Sequence, residues 1–251
     1  MTREDYSYSE VPDDLRKRID AHKKFSDFSL EEFFEQEFEF YGKKVLDLGC
    51  GDGNFAGIFS SGADRYLGID KNSQLIERAA YKFRQSPNID FVVSDIDAEF
   101  PGDEDCWDII FLVFSSYYSN DSKELFRRCA ASLTTGGEVV VIGPGPANAK
   151  EIDDYCSRLF GREASSSKRA GRISKEFAPI VGEIFGTHSV QLVNFDLHFP
   201  SYLEYFEYLS STLQYRESFA GELDQEKSRR ILEKDYALKL TKEVECLRAK
   251  V

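Results

Sequence analysis

The run VLDLGCGDGNF, Val45 to Phe55, restricts this chain more than any other stretch of its 251 residues. Val45, Leu46 and Leu48 read as an apolar strand, Asp47 interrupts it near its end, and glycines follow at 49, 51 and 53. Lacking Cβ atoms, these glycines let the backbone turn sharply and approach a ligand closely. The helix-forming segment after them would aim its N-terminal N–H groups at whatever the loop holds.

Two cofactor classes compete for such a loop. A dinucleotide fingerprint wants G-x-G-x-x-G or A, with a pyrophosphate on the helix N-terminus. Here the glycines run G-x-G-x-G, and Asn54 stands where the last small residue should fall. Asp47 would also place a carboxylate beside the ligand, which suits a cationic amino-acid moiety and repels a diphosphate. Further strands follow in order. RYLGID, Arg65 to Asp70, ends in an acid; Ile89 to Val93 precedes Ser94, Asp95 and Ile96; WDIIFLVF, Trp107 to Phe114, is almost wholly apolar, as a strand covered on both faces should be. LTTGGEVVVI, Leu133 to Ile142, ends a helix in a Gly-Gly turn and starts a fifth strand. Any one of the acids also reads as a helix cap or turn former. At the carboxyl ends of three successive strands, however, they fall where open α/β sheets bind ligands.

An acid followed by three alternate glycines resembles the first motif of the class I S-adenosylmethionine-dependent methyltransferases, and the later strands match that family's order. The resemblance implies an α/β fold: a Rossmann-like, doubly wound, seven-stranded, mostly parallel sheet whose last strand is antiparallel between the fifth and sixth. It implies S-adenosyl-L-methionine as cofactor and S-adenosyl-L-homocysteine as product. By the same resemblance, Asp47, Gly49, Cys50, Gly51 and Gly53 form the loop, Asp70 accepts the ribose hydroxyls beside Lys71, and Leu75 lies against the adenine. Asp95 and Ile96 meet the adenine amino group, and Val113 and Phe114 close the site at the end of the fourth strand.

Bulk properties narrow the partners. The formal charge of −13 disfavours nucleic acid and anionic membrane, which are bound through basic patches. No apolar run approaches the length of a membrane span, and MTREDYSYSE is not signal-like. Cys50, Cys106, Cys129, Cys156 and Cys246 are odd in number and scattered, as reduced thiols of a cytoplasmic protein would be.

One domain spans 1–251, with a helical lid or packing segment at 1–42, a cofactor-binding core at 43–199, a helical insert at 200–238 and a final strand at 239–251. Before the core, Pro12 to Lys24 and Ser29 to Phe38 read as helices, the second opened by the capping box S-L-E-E. Tyr6 and Tyr8 lie in a stretch that suits a lid over the cofactor mouth. Helices are also expected over Ala147 to Phe160 and Ser174 to Phe185. Lys168, Arg169 and Arg172 form a basic cluster that reads as a solvated loop or as an anion-binding flap. His188 to Phe199 alternates like a sixth strand, and Leu240 to Ala249 alternates imperfectly, leaving strand and helix both open. Between them stands an insert longer than a hairpin needs. Its Tyr202, Tyr205, Phe206 and Leu209 make a helical aromatic stripe, continued by Tyr208, Leu213, Tyr215 and Phe219, which fits a substrate cap or a packing or dimer element equally.

The reaction implied by the resemblance is in-line methyl transfer, carried by positioning and desolvation. His198, beside the insert, is the first candidate for a general base, with Tyr117 as the second catalytic candidate; His22 and His188 read as structural. Ser116, Tyr117 and Tyr118 should face the donor methyl. The strand-four end lacks the Asn- or Asp-Pro-Pro-aromatic pattern of base and protein amino-group methylases, and no metal-ligand pattern is evident. The expected activity is methylation of an O or N atom of a small-molecule acceptor by a monomer or homodimer. The alternatives are a protein or carrier-bound substrate and a non-catalytic, cofactor-binding regulator.

Overall fold

In the fourth strand, alternate residues serve opposite faces of the sheet. Ile109, Phe111 and Val113 enter one hydrophobic cluster, and Ile110 and Leu112 enter the other. Both faces are covered, which is why the strand has no polar side. The computed structural model describes residues 11–100, 106–161, 169–218, 225–235 and 237–251. Tyr6, Tyr8, Lys168 and Phe219 lie outside the described residues.

Seven strands, β1 (Lys44–Leu48), β2 (Arg65–Asp70), β3 (Ile89–Val93), β4 (Trp107–Val113), β5 (Leu133–Pro144), β6 (His188–His198) and β7 (Lys239–Lys250), form one sheet in the order β3-β2-β1-β4-β5-β7-β6. The first five run parallel, and β7 is antiparallel to both β5 and β6. The chain is therefore an α/β protein with a Rossmann-like, seven-stranded sheet. The ambiguous C-terminal segment is a strand. Its alternation is imperfect because the inward-facing Glu245, 1% exposed, accepts a hydrogen bond from the Ser174 N–H at 3.3 Å.

Ten helices accompany the sheet among the described residues: α1 (Pro12–Phe25), α2 (Leu30–Glu37), α3 (Ala56–Phe59), α4 (Ser73–Lys82), α5 (Ser122–Ser132), α6 (Lys150–Phe160), α7 (Ala178–Phe185), α8 (Tyr202–Ser211), α9 (Leu213–Ser218) and α10 (Gln225–Asp235). Ser29 caps α2, its Oγ accepting from the Glu32 N–H at 3.1 Å. The segment expected to be helical from Ser174 begins instead as a π-helical turn, Ile173–Phe177, that runs into α7. The Gly-Gly pair does not separate α5 from β5. The helix ends at Ser132, β5 starts at Leu133, and Gly136 (φ +79°) lies inside a break in the β4–β5 register between the pairs Trp107–Leu133 and Ile109–Glu138.

The N-terminal helices are fastened over the carboxyl ends of the strands. Phe34 of α2 and Phe38 just after it pack on Phe111, whose ring stacks on Phe59 at 4.0 Å. After α1, the Asp27 N–H donates to the Asp196 carbonyl at 3.1 Å, and the Asp196 N–H returns a bond to Asp27 Oδ1 at 2.9 Å. Much of the aromatic stripe of the insert is packing. Tyr205 and Leu209 are fully buried, and Tyr205 stacks on Phe199 at 4.8 Å. No helix among the described residues is long and apolar enough to cross a membrane.

Candidate functional site

The carboxyl ends of β1, β2 and β4 open into a cavity of about 690 Å³, covered by α1 and the start of α2 and bounded by residues of α8 and α9. That is within the range of small-molecule sites. The glycine turn at its base is held tightly. Gly49 and Cys50 both donate to the Ile69 carbonyl, at 2.7 and 2.9 Å, and Ser115 Oγ donates to the Leu48 carbonyl at 2.5 Å. A Cβ on Gly49 would stand 2.4 Å from Ser115 Cβ, and its φ is +80°, so steric room and backbone conformation both require glycine.

Asp70, 6% exposed, fixes the loop to the next strand end. Its Oδ2 accepts from the Gly51 N–H at 3.0 Å and its Oδ1 from the Asn72 N–H at 2.8 Å. Asn72 in turn caps α4, which sets buried Leu75 in the cavity wall. Asp47 is more deeply buried, at 2% exposure. Its Oδ2 accepts the Tyr66 hydroxyl at 2.8 Å, while Oδ1 has no hydrogen-bond partner among the described residues. Burial raises its pKa to about 7, opposed by the Tyr66 hydrogen bond and reinforced by the charge on Asp70. A buried carboxylate oxygen with no donor, in a cavity wall, fits a cationic ligand group. Lys71 and Asp95 lie exposed at the rim, with Ile96 buried beside them. Val113 and Phe114 also line the cavity, and Phe114 is held in the left-handed region at φ +54°. A non-glycine residue in that conformation is uncommon, and such strain clusters at ligand sites.

A second set of side chains completes the cavity. Tyr117 and Tyr118, rings 4.7 Å apart, carry the Arg169 guanidinium 5.7 and 5.9 Å from their centroids. His22 Nε2 lies 3.3 Å from the Tyr208 hydroxyl. Burial lowers the His22 pKa to about 3, helped by the charges of Lys242 and Arg18, so the ring is neutral.

The structure thus brings Asp47, Gly49, Cys50, Gly51, Asp70, Lys71, Leu75, Asp95, Ile96, Val113, Phe114 and Tyr117 to one cavity. Three expected residues are elsewhere. Gly53 is absent from the lining; its α-carbon faces the Phe83 and Phe91 rings, where an added Cβ would come within 3.1–3.2 Å. Ser116 is turned into the protein interior. His198, at the end of β6, is exposed beside Asp27 at 3.8 Å and does not line the cavity. Asp27, Asp196 and His198 bring ligand atoms within 4.8 Å of one another, but Asp196 already pairs with Lys239 at 2.5 Å and Thr241 at 3.0 Å.

The basic cluster is not a solvated loop where it is described. Arg169 is 7% exposed in the cavity wall, and Arg172 is clasped by Glu176 at 2.6 and 2.7 Å while donating to the Tyr117 carbonyl at 3.0 Å. His22 is the cavity histidine that sequence reasoning passed over. The signal was present in α1, where Leu15, Arg18, Ile19 and His22 share one face at spacings of three and four, and all four line the cavity.

Residues 45–137 match the family described as methyltransferase domain. The chain is 22% identical over 163 residues to the uncharacterised methyltransferase YcgJ of Bacillus subtilis, covering 64% of each protein. It is 29% identical over 108 residues to a ubiquinone biosynthesis O-methyltransferase of Coxiella burnetii, covering 43% of this chain and 46% of that protein. It therefore spans less than two thirds of either relative. The crystal structure of YcgJ superposes with a TM-score of 0.59 at 16% identity, over 88% of this chain and 97% of that one. The acid–glycine turn and the sheet order agree with the matched segment: residues 45–137 carry a methyltransferase domain, set in a Rossmann-like sheet shared with the solved methyltransferase structure.

Proposed function

We propose that this chain is an enzyme that binds S-adenosyl-L-methionine and transfers its methyl group to an O or N atom of a small-molecule acceptor. The observation that carries the reading is the buried, donorless Asp47 Oδ1 in the same cavity as the Asp70 carboxylate. The cofactor has a cationic ammonium for the first and a ribose diol for the second, so the residues present fit it. Gly49 and Gly51 give backbone approach, Leu75 and Ile96 offer apolar surface for the adenine, and Asp95 an acceptor at its edge. When bound, the cofactor supplies an electrophilic methyl on a sulfonium. The protein's part is to hold the acceptor atom in line and to exclude water, which Phe114, Tyr117 and the α1 cover are placed to do.

Neutral His22, hydrogen-bonded to Tyr208, replaces His198 as the candidate to receive an acceptor proton. A covered cavity rather than an open groove favours a small molecule over a folded protein as acceptor. Free cysteines, four of the five buried, suit a reducing cytoplasm.

Calorimetry with S-adenosylhomocysteine tests the reading. Binding to the wild type, and a loss of about 100-fold in Asp70→Ala, is expected where two charge-assisted hydrogen bonds are removed. No binding to the wild type refutes the proposal, and equal binding to both refutes the role of Asp70.

A further inference from the structure

The cavity wall contains two nearly buried amides that the proposed cofactor contacts leave unused. Asn148, 8% exposed, follows β5, and Gln214, 9% exposed, lies in α9; both line the cavity. Asn148 stands across β4 from Asp47 and Asp70, because β5 and β7 continue the sheet in that direction.

The chain fixes which end of each amide is left for a ligand. The segment after β5 is bound along β7, with the Gly145 N–H donating to the Glu243 carbonyl at 2.9 Å, the Ala147 N–H to Glu243 Oε1 at 2.7 Å and the Ala149 N–H to the Thr241 carbonyl at 3.0 Å. Ala149 is held in the left-handed region at φ +54°, a conformation that a non-glycine residue keeps only where its surroundings impose it. Within that frame Asn148 Oδ1 accepts from the Glu243 N–H at 3.4 Å, a long bond that commits the oxygen to β7 and leaves the NH2 group over. Gln214 is the reverse: its Nε2 donates to Asp153 Oδ1 at 3.2 Å, leaving Oε1 over. Among the described residues neither Asn148 Nδ2 nor Gln214 Oε1 has a hydrogen-bond partner. A donor and an acceptor so nearly buried call for a ligand or water to satisfy them.

Their neighbours belong to the acceptor half of the cavity. Lys242 and Val244 flank Glu243 on β7 and line the cavity, and Lys242 pairs in register with Phe195, whose ring meets His22 edge-on at 5.9 Å. Asp153, which holds Gln214, is in the first turn of α6, the helix into which Asn148 leads. Both amides are thus anchored at the start of one helix, and Thr212 and Leu213 carry the lining from Gln214 back toward Tyr208.

Resting on the methyltransferase reading, we infer that Asn148 and Gln214 select the methyl acceptor. It carries an oxygen that accepts from Asn148 Nδ2 and an N–H or O–H that donates to Gln214 Oε1, the pattern of a carboxamide or a hydroxyl. Uncharged side chains read the direction of a hydrogen bond, and a molecule with the wrong pattern leaves a buried group unsatisfied, which is the basis of strong discrimination.

The test uses protein saturated with S-adenosylhomocysteine and titrated by saturation-transfer NMR with four probes. Benzamide and benzyl alcohol both donate and accept, acetophenone only accepts, and aniline chiefly donates. In the wild type benzamide or benzyl alcohol is expected to bind about tenfold more tightly than the other two, and the tighter of them names the group. Asn148→Asp keeps an oxygen for the Glu243 N–H and replaces the donor by an acceptor, so benzamide and acetophenone should weaken about tenfold and aniline should not. Asn148→Ala removes the donor without adding a charge and carries the same expectation. Gln214→Met keeps the side-chain length, and there benzamide and aniline should weaken while acetophenone does not. A purely structural role would not produce these crossed losses, and unchanged S-adenosylhomocysteine affinity in each variant reports an intact fold. If neither two-way probe binds, if a one-way probe binds as tightly, or if the losses are not crossed, the inference is wrong while the methyltransferase reading stands. Loss of S-adenosylhomocysteine affinity in folded variants also overturns it, by assigning the amide to the cofactor. Failure of the wild type to bind S-adenosylhomocysteine removes both.

Discussion

The two halves of the cavity are built in opposite ways. The strand-end half comes from a short, continuous piece of chain, β1 to the end of β4, in which most of the polar groups are tied to backbone close by. Asp70 is tied to Gly51 and Asn72, and Ser115 to Leu48. The half under α1 is assembled from residues far apart in sequence, Arg18, His22, Arg169, Tyr208 and Lys242, and its contacts are long-range, as between Tyr208 and His22 or between Arg18 and the Ser211 carbonyl. The first arrangement suits a ligand that never changes. The second can exchange its side chains without disturbing the sheet, which is how one fold accommodates many substrates.

The largest expected effect lies where the first half has no room to give. Gly49→Ala combines a Cβ 2.4 Å from Ser115 Cβ with a φ of +80°. Overpacking and backbone strain together should cost about 4 kcal/mol of folding stability, read as a lower urea midpoint. Pairing it with Ser115→Gly should recover the steric part and leave the conformational part. Next in size is Asp70→Ala, which should lower S-adenosylhomocysteine affinity about 100-fold, or roughly 2.7 kcal/mol, in calorimetry. If His22→Gln lowered that affinity as much, the division into two halves would be wrong.

This difference in construction also decides what the sequence revealed. The sheet order, the glycine turn and Asp47, Asp70 and Asp95 were legible because strand periodicity and turn chemistry are local. Gly53 was assigned to the ligand by its place in the pattern, whereas it is needed for packing against Phe83 and Phe91. His198 was preferred over His22 because it adjoins the insert in sequence. β6 carries it past the cavity, and α1 folds back to bring His22 in. Lys242 gave no sign of itself, since it lies on a strand whose alternation is broken by buried Glu245. Within its basic run Arg169 reads as part of a solvated loop or of an anion-binding flap, and nothing local to it tells that the chain sets it over two tyrosines.

The halves should also answer pH with opposite signs. Folding raises the Asp47 pKa from 3.8 to about 7, so between those values the folded state holds more protons than the unfolded one, and stability falls as pH rises. His22 is lowered from 6.5 to about 3, so over that range the unfolded state holds more protons, and stability rises with pH. The two contributions oppose each other where the windows overlap, from about pH 4 to 6.5. Urea denaturation across that window should show a steeper rise of stability with pH in Asp47→Asn and a shift toward falling stability in His22→Gln. Asp47 also predicts that S-adenosylhomocysteine binds more tightly as pH rises toward and past about 7, because an ammonium prefers the ionised carboxylate; Asp47→Asn should abolish that dependence. Parallel slopes in the two variants would remove the electrostatic part of the comparison.

The smallest effect separates packing from chemistry within one helix. Tyr205 and Tyr208 are adjacent on one face of α8, and both are buried. Among the described residues the Tyr205 hydroxyl has no hydrogen-bond partner, while its ring stacks on Phe199 at 4.8 Å and an interplanar angle of 15°. Tyr205→Phe keeps the ring and removes an unsatisfied group, so it should be neutral or stabilise by about 1 kcal/mol, a rise of a few degrees in Tm. Tyr208→Phe removes the 3.3 Å contact with His22 and should cost about 1 kcal/mol. It should also lower acceptor turnover while S-adenosylhomocysteine affinity holds. Were Tyr205→Phe instead to destabilise the protein and raise the acceptor KM, its hydroxyl would belong to the acceptor wall, and the boundary between core and substrate site would move one turn along α8.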